Sequence, residues 1–87
     1  MNTNNIVNKV MELRDKEGKP KEALKELLKY KNEDFKEYDE LIKYVLMKAV
    51  LYRDTGDMES SVETYKEALS IVKDDDHINK ADILRSL

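Results

Sequence analysis

The chain of 87 residues contains no cysteine and no tryptophan, and it has only two glycines and one proline. Without cysteine, a disulfide framework and thiol chemistry are excluded. The scarcity of glycine and proline, together with 40% charged and 40% hydrophobic residues, favours a single all-α domain with solvated outer faces. Apolar residues recur at helical spacing along the chain, which argues against disorder.

Long apolar runs are also missing. No stretch approaches the roughly 20 residues that a membrane-spanning helix needs. The first five residues, Met-Asn-Thr-Asn-Asn, lack the basic region and the apolar core of a signal peptide. We therefore expect a cytoplasmic protein that has no membrane partner.

Residues that carry catalysis or hold cofactors are few. His77 is the only histidine, and it follows three aspartates, residues 74–76. Consecutive aspartates point in different directions, so a metal site is not favoured, whereas acidic groups at a helix N-terminus are stabilised by the helix dipole. The chain has no glycine-rich phosphate loop and no zinc-binding pattern. We expect neither an enzyme nor a bound metal or cofactor.

Charge is unevenly distributed. Residues 1–31 carry eight basic and five acidic side chains, a balance of +3, while residues 32–87 carry eight basic and fourteen acidic ones, a balance of −6. This asymmetry fits solvated faces that attract each other across the fold. It also fits two ends that meet different partners, or each other in a dimer. The overall acidity argues against a nucleic-acid ligand.

Apolar spacing predicts five helices, at about residues 4–16, 20–30, 33–54, 58–72 and 77–86. Gly18 and Gly56 end the first and third helices, and Asn32, Asp57 and Asp76 are the predicted N-caps of the last three. The third helix is apolar nearly all round between Tyr44 and Tyr52, so we place it at the centre of the fold. The inward positions that we predict on the last two helices are Met58, Val62, Tyr65, Leu69 and Val72, and Ile78, Ala81, Ile83, Leu84 and Leu87.

The chain also repeats itself. Leu13-Arg14-Asp15 precedes Gly18, and Tyr52-Arg53-Asp54 precedes Gly56, 38 residues later. The second repeat reads Val45-x2-Lys48-Ala49-x2-Tyr52, Gly56-Asp57 and Ser61-x3-Tyr65-x2-Ala68-Leu69. Small and large residues alternate there, as two closely packed antiparallel helices require.

This pattern resembles a tetratricopeptide repeat (TPR), a helical hairpin with a period of 34 residues. The match is better over residues 42–75 than over residues 4–37, and residues 76–87 would form a C-terminal capping helix. Departures from the family pattern include Lys48, Ser61 and Lys73, and Met11, Arg14 and Tyr30 in the first unit. We expect the four extra residues between the units to extend the second helix or to add a first turn to the third. A different four- or five-helix bundle is the alternative.

The resemblance implies a groove lined by the first helix of each hairpin. Its positions would be Asn5, Asn8, Glu12, Asp15 and Lys16 in the first unit, and Lys43, Leu46, Val50, Arg53 and Asp54 in the second. From these, the predicted partner-binding residues are Asn5, Asn8, Lys43, Leu46, Val50 and Arg53. Some family members clamp a peptide carboxylate with such residues, but Glu12, Asp15 and Asp54 would oppose an anion. The pattern is compatible with both a groove and a core position for Leu46 and Val50.

These features favour a small protein–protein interaction module, an adaptor or regulator that binds a protein or peptide in a helical groove or associates with a second copy. One alternative is an inhibitory bundle that occludes its target, like bacteriocin-immunity proteins, and another is a structural element of a larger assembly. Two repeats are fewer than the three usually needed to bury a continuous core. Either the fifth helix caps the stack or a second copy covers the exposed apolar face.

Overall fold

The described part of the chain, residues 3–87 of a computed structural model, is all helical, and side chains are described from residue 5 onward. Five α-helices follow in order: α1 (Thr3–Asp15), α2 (Pro20–Leu27), α3 (Tyr38–Asp54), α4 (Met58–Ile71) and α5 (His77–Ser86). A short 3₁₀ turn, Asn32–Asp34, lies between α2 and α3. Helices α1 and α2 form one hairpin, α3 and α4 form a second, and α5 packs against α4.

Both glycines end helices as predicted, because each takes a positive φ that other residues avoid. Gly18 has a φ of 62° and Gly56 has a φ of 89°. After Gly56, the Asp57 amide donates to the Tyr52 carbonyl at 2.9 Å, which satisfies a carbonyl at the end of α3. The predicted caps Asp57 and Asp76 are also confirmed, since their carboxylates accept from the Ser60 and Asn79 amides.

The segment between the hairpins differs from the prediction. Helix α2 ends at Leu27 rather than at residue 30, and α3 begins at Tyr38 rather than at residue 33. The extra residues therefore extend neither helix. Asn32 does not cap α3, since its side chain donates to Glu67 Oε1 at 3.0 Å.

Burial of Phe35 explains this break. Phe35 is 3% exposed and has an extended backbone, with a φ of −111° and a ψ of 97°. Its ring stacks on Tyr44, with centroids 4.4 Å apart, and meets Tyr30 edge-on. The Tyr44 hydroxyl in turn donates to the Tyr30 carbonyl at 2.8 Å. These aromatic contacts offset the loss of a helical turn.

Helix α3 is the centre of the core, as the sequence predicts. It packs against α1, α2 and α4. Five of its residues are buried: Ile42, Tyr44, Val45, Ala49 and Leu51. Ala49 and Ala68 have no exposed surface and let α3 and α4 approach closely.

Two departures from the TPR pattern have a local explanation. Ser61 is 2% exposed, and its hydroxyl donates to the Ala49 carbonyl at 2.8 Å, so the polar atom is satisfied inside the second hairpin. Lys48 is half-buried, with Nζ 3.9 Å from Glu67 and 5.0 Å from the centroid of the Tyr44 ring.

Several predicted inward positions on the last two helices are wrong. On α4, Met58 is 57% exposed and Leu69 is also exposed. On α5, only Ile83 is buried, whereas Ala81, Ile78, Leu84 and Leu87 are exposed. Their apolar spacing is real, but the described part of the chain packs mainly α4 against α5, and this contact covers one side of α5.

Candidate functional site

A cleft of about 650 Å³ lies between α1 and α3. Its lining is mainly apolar. The apolar lining residues are Val7, Met11, Leu46, Met47 and Val50, and the polar ones are Asn8, Arg14 and Lys43. The two methionines provide flexible, polarisable side chains that adapt to the shape of an apolar ligand.

A smaller cleft of about 310 Å³ lies next to it, between α3, α4 and α5. It shares Leu46 and Val50 with the first cleft, and adds Arg53, Tyr65, Asp82, Arg85 and Ser86 from α3, α4 and α5. Leu46 and Val50 thus form a ridge between two adjacent clefts. We call the two clefts together the α1–α3–α5 face.

Five of the six predicted partner-binding residues lie on the α1–α3–α5 face. Asn8, Lys43, Leu46 and Val50 line the larger cleft, and Arg53 lines the smaller one. Asn5 is exposed on α1 but lines neither cleft. Leu46 and Val50 are half-buried, and Leu46 packs against the core. The sequence was compatible with a groove position and with a core position for these residues, and the ridge has features of both.

On α1, the residues that line the cleft differ from those inferred from the resemblance. Val7, Asn8, Met11 and Arg14 line it, whereas Glu12, Asp15 and Lys16 are exposed elsewhere. Val7, Met11 and Arg14 follow the i, i+4, i+7 spacing of one helix face. Full burial of Val10 sets the rotation of α1 and turns this face toward α3. The same spacing in the sequence identifies the set only once the buried side of α1 is known.

Electrostatics across this face leave two cations available. Arg14 Nε donates to Asp54 Oδ2 at 2.6 Å, and Arg85 pairs with Asp82. Lys43 and Arg53 have no carboxylate partner among the described residues, and both are exposed. Ten residues separate them, which is about 15 Å along an α-helix.

The Arg14–Asp54 pair changes the expected charge of the groove. The hydrogen bond to Asp54 raises the pKa of the Arg14 guanidinium, against the opposing effect of its partial desolvation. Asp54 is thereby neutralised by a neighbour and opposes an anionic ligand less than the sequence suggests. Among groove positions, Lys43 and Arg53 therefore determine which charge a ligand should carry.

A second surface was not singled out as a site from the sequence. Lys21, Leu24, Lys25, Leu28, Lys29 and Thr55 line a cleft of about 490 Å³ on the outer side of α2. Three lysines at i, i+4 spacing surround two leucines there. This surface shares no lining residue with the α1–α3–α5 face, so it provides matched control positions.

Among the aspartates beside His77, Asp76 makes structural contacts. Asp76 accepts from the Tyr38 hydroxyl at 2.6 Å and from the Asn79 side chain at 2.8 Å. Within residues 3–87, no group of three or more His, Asp or Glu side chains is placed to hold a metal ion. Likewise, no helix in this part of the chain is both long and apolar enough to cross a membrane.

Comparison with known proteins adds no relative. No protein-family model matches the chain, and neither the curated proteins nor the solved structures give a significant match.

Proposed function

We propose that this protein is a small protein-interaction module of TPR-like architecture that binds an acidic peptide or helix with an apolar anchor residue on the α1–α3–α5 face. The observation that carries the proposal is the ridge of Leu46 and Val50. These two apolar side chains remain half-exposed between two clefts and lie between the cations Lys43 and Arg53. A mainly apolar surface with a few polar and charged side chains is typical of protein-binding sites.

The arrangement of the helices supports the TPR-like assignment. Two hairpins follow each other along the chain, each with a positive-φ glycine after its first helix. The clefts lie along α1, α3 and α5, which are the first helices of the two hairpins and the helix that follows them. This is the side that the resemblance assigns to ligand binding.

Apolar burial and charge would make separate contributions to the recognition of a ligand. An apolar anchor in the larger cleft would contact Met11, Leu46 and Met47, and such buried anchors usually supply most of the affinity. Acidic groups of the ligand would meet Lys43 or Arg53, which would favour correct partners and speed association more than it adds affinity. A basic peptide would be disfavoured at the same positions.

Selection of binders from a random peptide library against the protein tests this proposal. We expect enriched peptides to combine an apolar residue with Asp or Glu. Binding should fall at least tenfold in the Lys43→Glu/Arg53→Glu variant, because both side chains are exposed and their reversal opposes an acidic ligand without disturbing the core. Leu46→Gln tests the anchor separately.

The matched control is Lys21→Glu/Lys25→Glu, which reverses the same charge on the outer side of α2. Its affinity for the selected peptides should stay within about twofold of the parent. An equal loss of affinity in both charge-reversal variants would show that the effect depends on the net charge of the protein alone. Peptides that bind the groove variant as well as the parent would overturn the proposal.

A further inference from the structure

Two methionines line the larger cleft of the α1–α3–α5 face, Met11 from α1 and Met47 from α3. The chain contains four methionines and no cysteine, so thioethers are its only sulfur groups. Among the methionines whose side chains the structure describes, Met58 is the one that lies outside this cleft. The sulfur groups that peroxides oxidise are thus concentrated in the cleft assigned to the ligand.

The two methionines of the cleft differ in their access to solvent. Met11 is 40% exposed, whereas Met47 is half-buried and packs against the core. Because the susceptibility of a sulfur group to oxidation follows its exposure, Met11 should react before Met47. Met58, at the start of α4, is 57% exposed and should react about as readily as Met11.

Oxidation would change the chemistry of the cleft lining. Hydrogen peroxide transfers one oxygen atom to the methionine sulfur; the sulfur loses two electrons and gains an S–O bond, while the O–O bond breaks and the peroxide is reduced to water. The thioether is apolar and flexible, whereas the sulfoxide is polar and accepts hydrogen bonds. At Met11, this reaction places a polar oxygen in the lining that an apolar anchor residue would contact.

We propose that Met11 is a reversible oxidation site that controls ligand binding at the α1–α3–α5 face. The thioether form accepts an apolar anchor. The sulfoxide form binds it weakly, because a buried anchor would remove water from the S–O group without giving it a hydrogen-bond donor. Methionine sulfoxide reductases return the side chain to the thioether. Because Met11 lines the cleft assigned to the ligand, this role rests on the proposed function.

The exposure of Met11 separates an effect on binding from damage to the fold. In the free protein, a sulfoxide at Met11 remains in contact with water, so it should change stability little. A sulfoxide at Met47 would instead be desolvated against the core and would lower the melting temperature. Affinity and melting temperature therefore report on different methionines.

Brief treatment of the full chain with hydrogen peroxide tests the proposal. Peptides selected against the untreated protein are the probe, and mass spectrometry of proteolytic fragments gives the sulfoxide fraction at each methionine. We expect Met11 and Met58 to be oxidised ahead of Met47, and binding to weaken at least about tenfold with an unchanged circular-dichroism melting curve. Methionine sulfoxide reductases should then restore the original affinity. Oxidised protein that binds as tightly as untreated protein would overturn the proposal.

Leucine variants identify the methionine responsible, because leucine has a similar volume and no sulfur. Oxidised Met11→Leu should bind within about twofold of its own untreated form. Oxidised Met58→Leu, the matched control, should lose as much affinity as the oxidised parent. Met11→Gln, which introduces a polar side chain without any peroxide, should bind at least about fivefold more weakly than the parent. If Met47→Leu or Met58→Leu prevented the loss and Met11→Leu did not, the assignment to Met11 would be wrong.

The untreated parent distinguishes this role of Met11 from the proposed function. If no peptide binds the untreated protein in a way that depends on Lys43 and Arg53, the proposed function fails, and the role of Met11 fails with it. If such peptides bind and oxidation leaves their affinity unchanged, the role of Met11 alone fails. A loss of affinity that appears only together with a lower melting temperature would also overturn this role, since it would show damage to the fold.

Discussion

Arg14 and Asp54, 40 residues apart, join the ends of α1 and α3 through a hydrogen-bonded ion pair in which Arg14 Nε lies 2.6 Å from Asp54 Oδ2. Each residue lies at the end of the first helix of its hairpin, shortly before the glycine that ends that helix. The pair thus links the two hairpins at the end of the molecule that carries both turns. It also removes a negative charge from the border of the groove.

The first prediction concerns this pair. Arg14→Ala and Asp54→Ala should each lower the free energy of unfolding, and a double-mutant cycle should give a coupling of about 0.5–1 kcal/mol. The value is small because the side chains are 30% and 26% exposed and are screened by solvent. Urea denaturation of the four proteins at low salt measures it. Strictly additive losses would show that the contact contributes nothing to stability.

A second prediction separates the TPR pattern from the structure at Ser61. The pattern prefers alanine there, so a consensus argument expects Ser61→Ala to stabilise the protein. The structure instead predicts a loss of about 1 kcal/mol, because the buried hydroxyl donates to the Ala49 carbonyl at 2.8 Å. Ser70→Ala, whose hydroxyl makes an exposed bond to the Glu67 carbonyl, is the control and should change stability little. A higher melting temperature for Ser61→Ala would reverse this conclusion.

The third prediction concerns the two helix-ending glycines. Gly18→Ala and Gly56→Ala should each destabilise the fold by about 1–2 kcal/mol, because a Cβ disfavours positive φ. An added Cβ would meet nothing within 4 Å at either position, so the cost comes from the backbone alone. Gly18→Asn should recover part of it, since asparagine tolerates a φ near 60°. Thermal denaturation measures both losses, and Glu17→Ala, at a residue with negative φ, is the control. If the glycine variants lost no more stability than Glu17→Ala, the prediction would be contradicted.

Acid should weaken the contact between the start of α3 and the α4–α5 loop. The hydrogen bond from the Tyr38 hydroxyl, followed by those from Asn79, lowers the pKa of Asp76. Because the folded pKa lies below the unfolded value of about 3.9, the stabilisation is present above that pH and is lost as pH falls through the folded pKa.

Tyr38→Phe removes the main cause of that shift. We expect its free energy of unfolding to fall less steeply than that of the parent between about pH 5 and pH 2, as measured by chemical denaturation at each pH. Tyr52→Phe, also partly exposed, serves as the control and should keep the slope of the parent. Identical slopes for parent and Tyr38→Phe would show that this hydrogen bond does not bias the titration.

Local chemistry along the chain predicted much of the fold. Gly18, Gly56, Asp57 and Asp76 act within a few residues of themselves, so the helix ends that they control are visible in the sequence. The helical period of the apolar residues places α3 at the centre for the same reason. On the candidate site, this period brings Lys43, Leu46 and Val50 to one side of α3, where the structure also has them.

Contacts between residues that are separated in the sequence determined the features of the fold and the site that the sequence did not predict. Burial of Phe35 against Tyr44 replaced the predicted start of α3 with a 3₁₀ turn, and no local pattern reveals such a contact. Burial of Val10 set the rotation of α1 and so brought Met11 rather than Glu12 to the cleft. On α5, the sequence determined an apolar helix, but only the tertiary structure decided which side is covered, because burial depends on which neighbours the rest of the chain supplies.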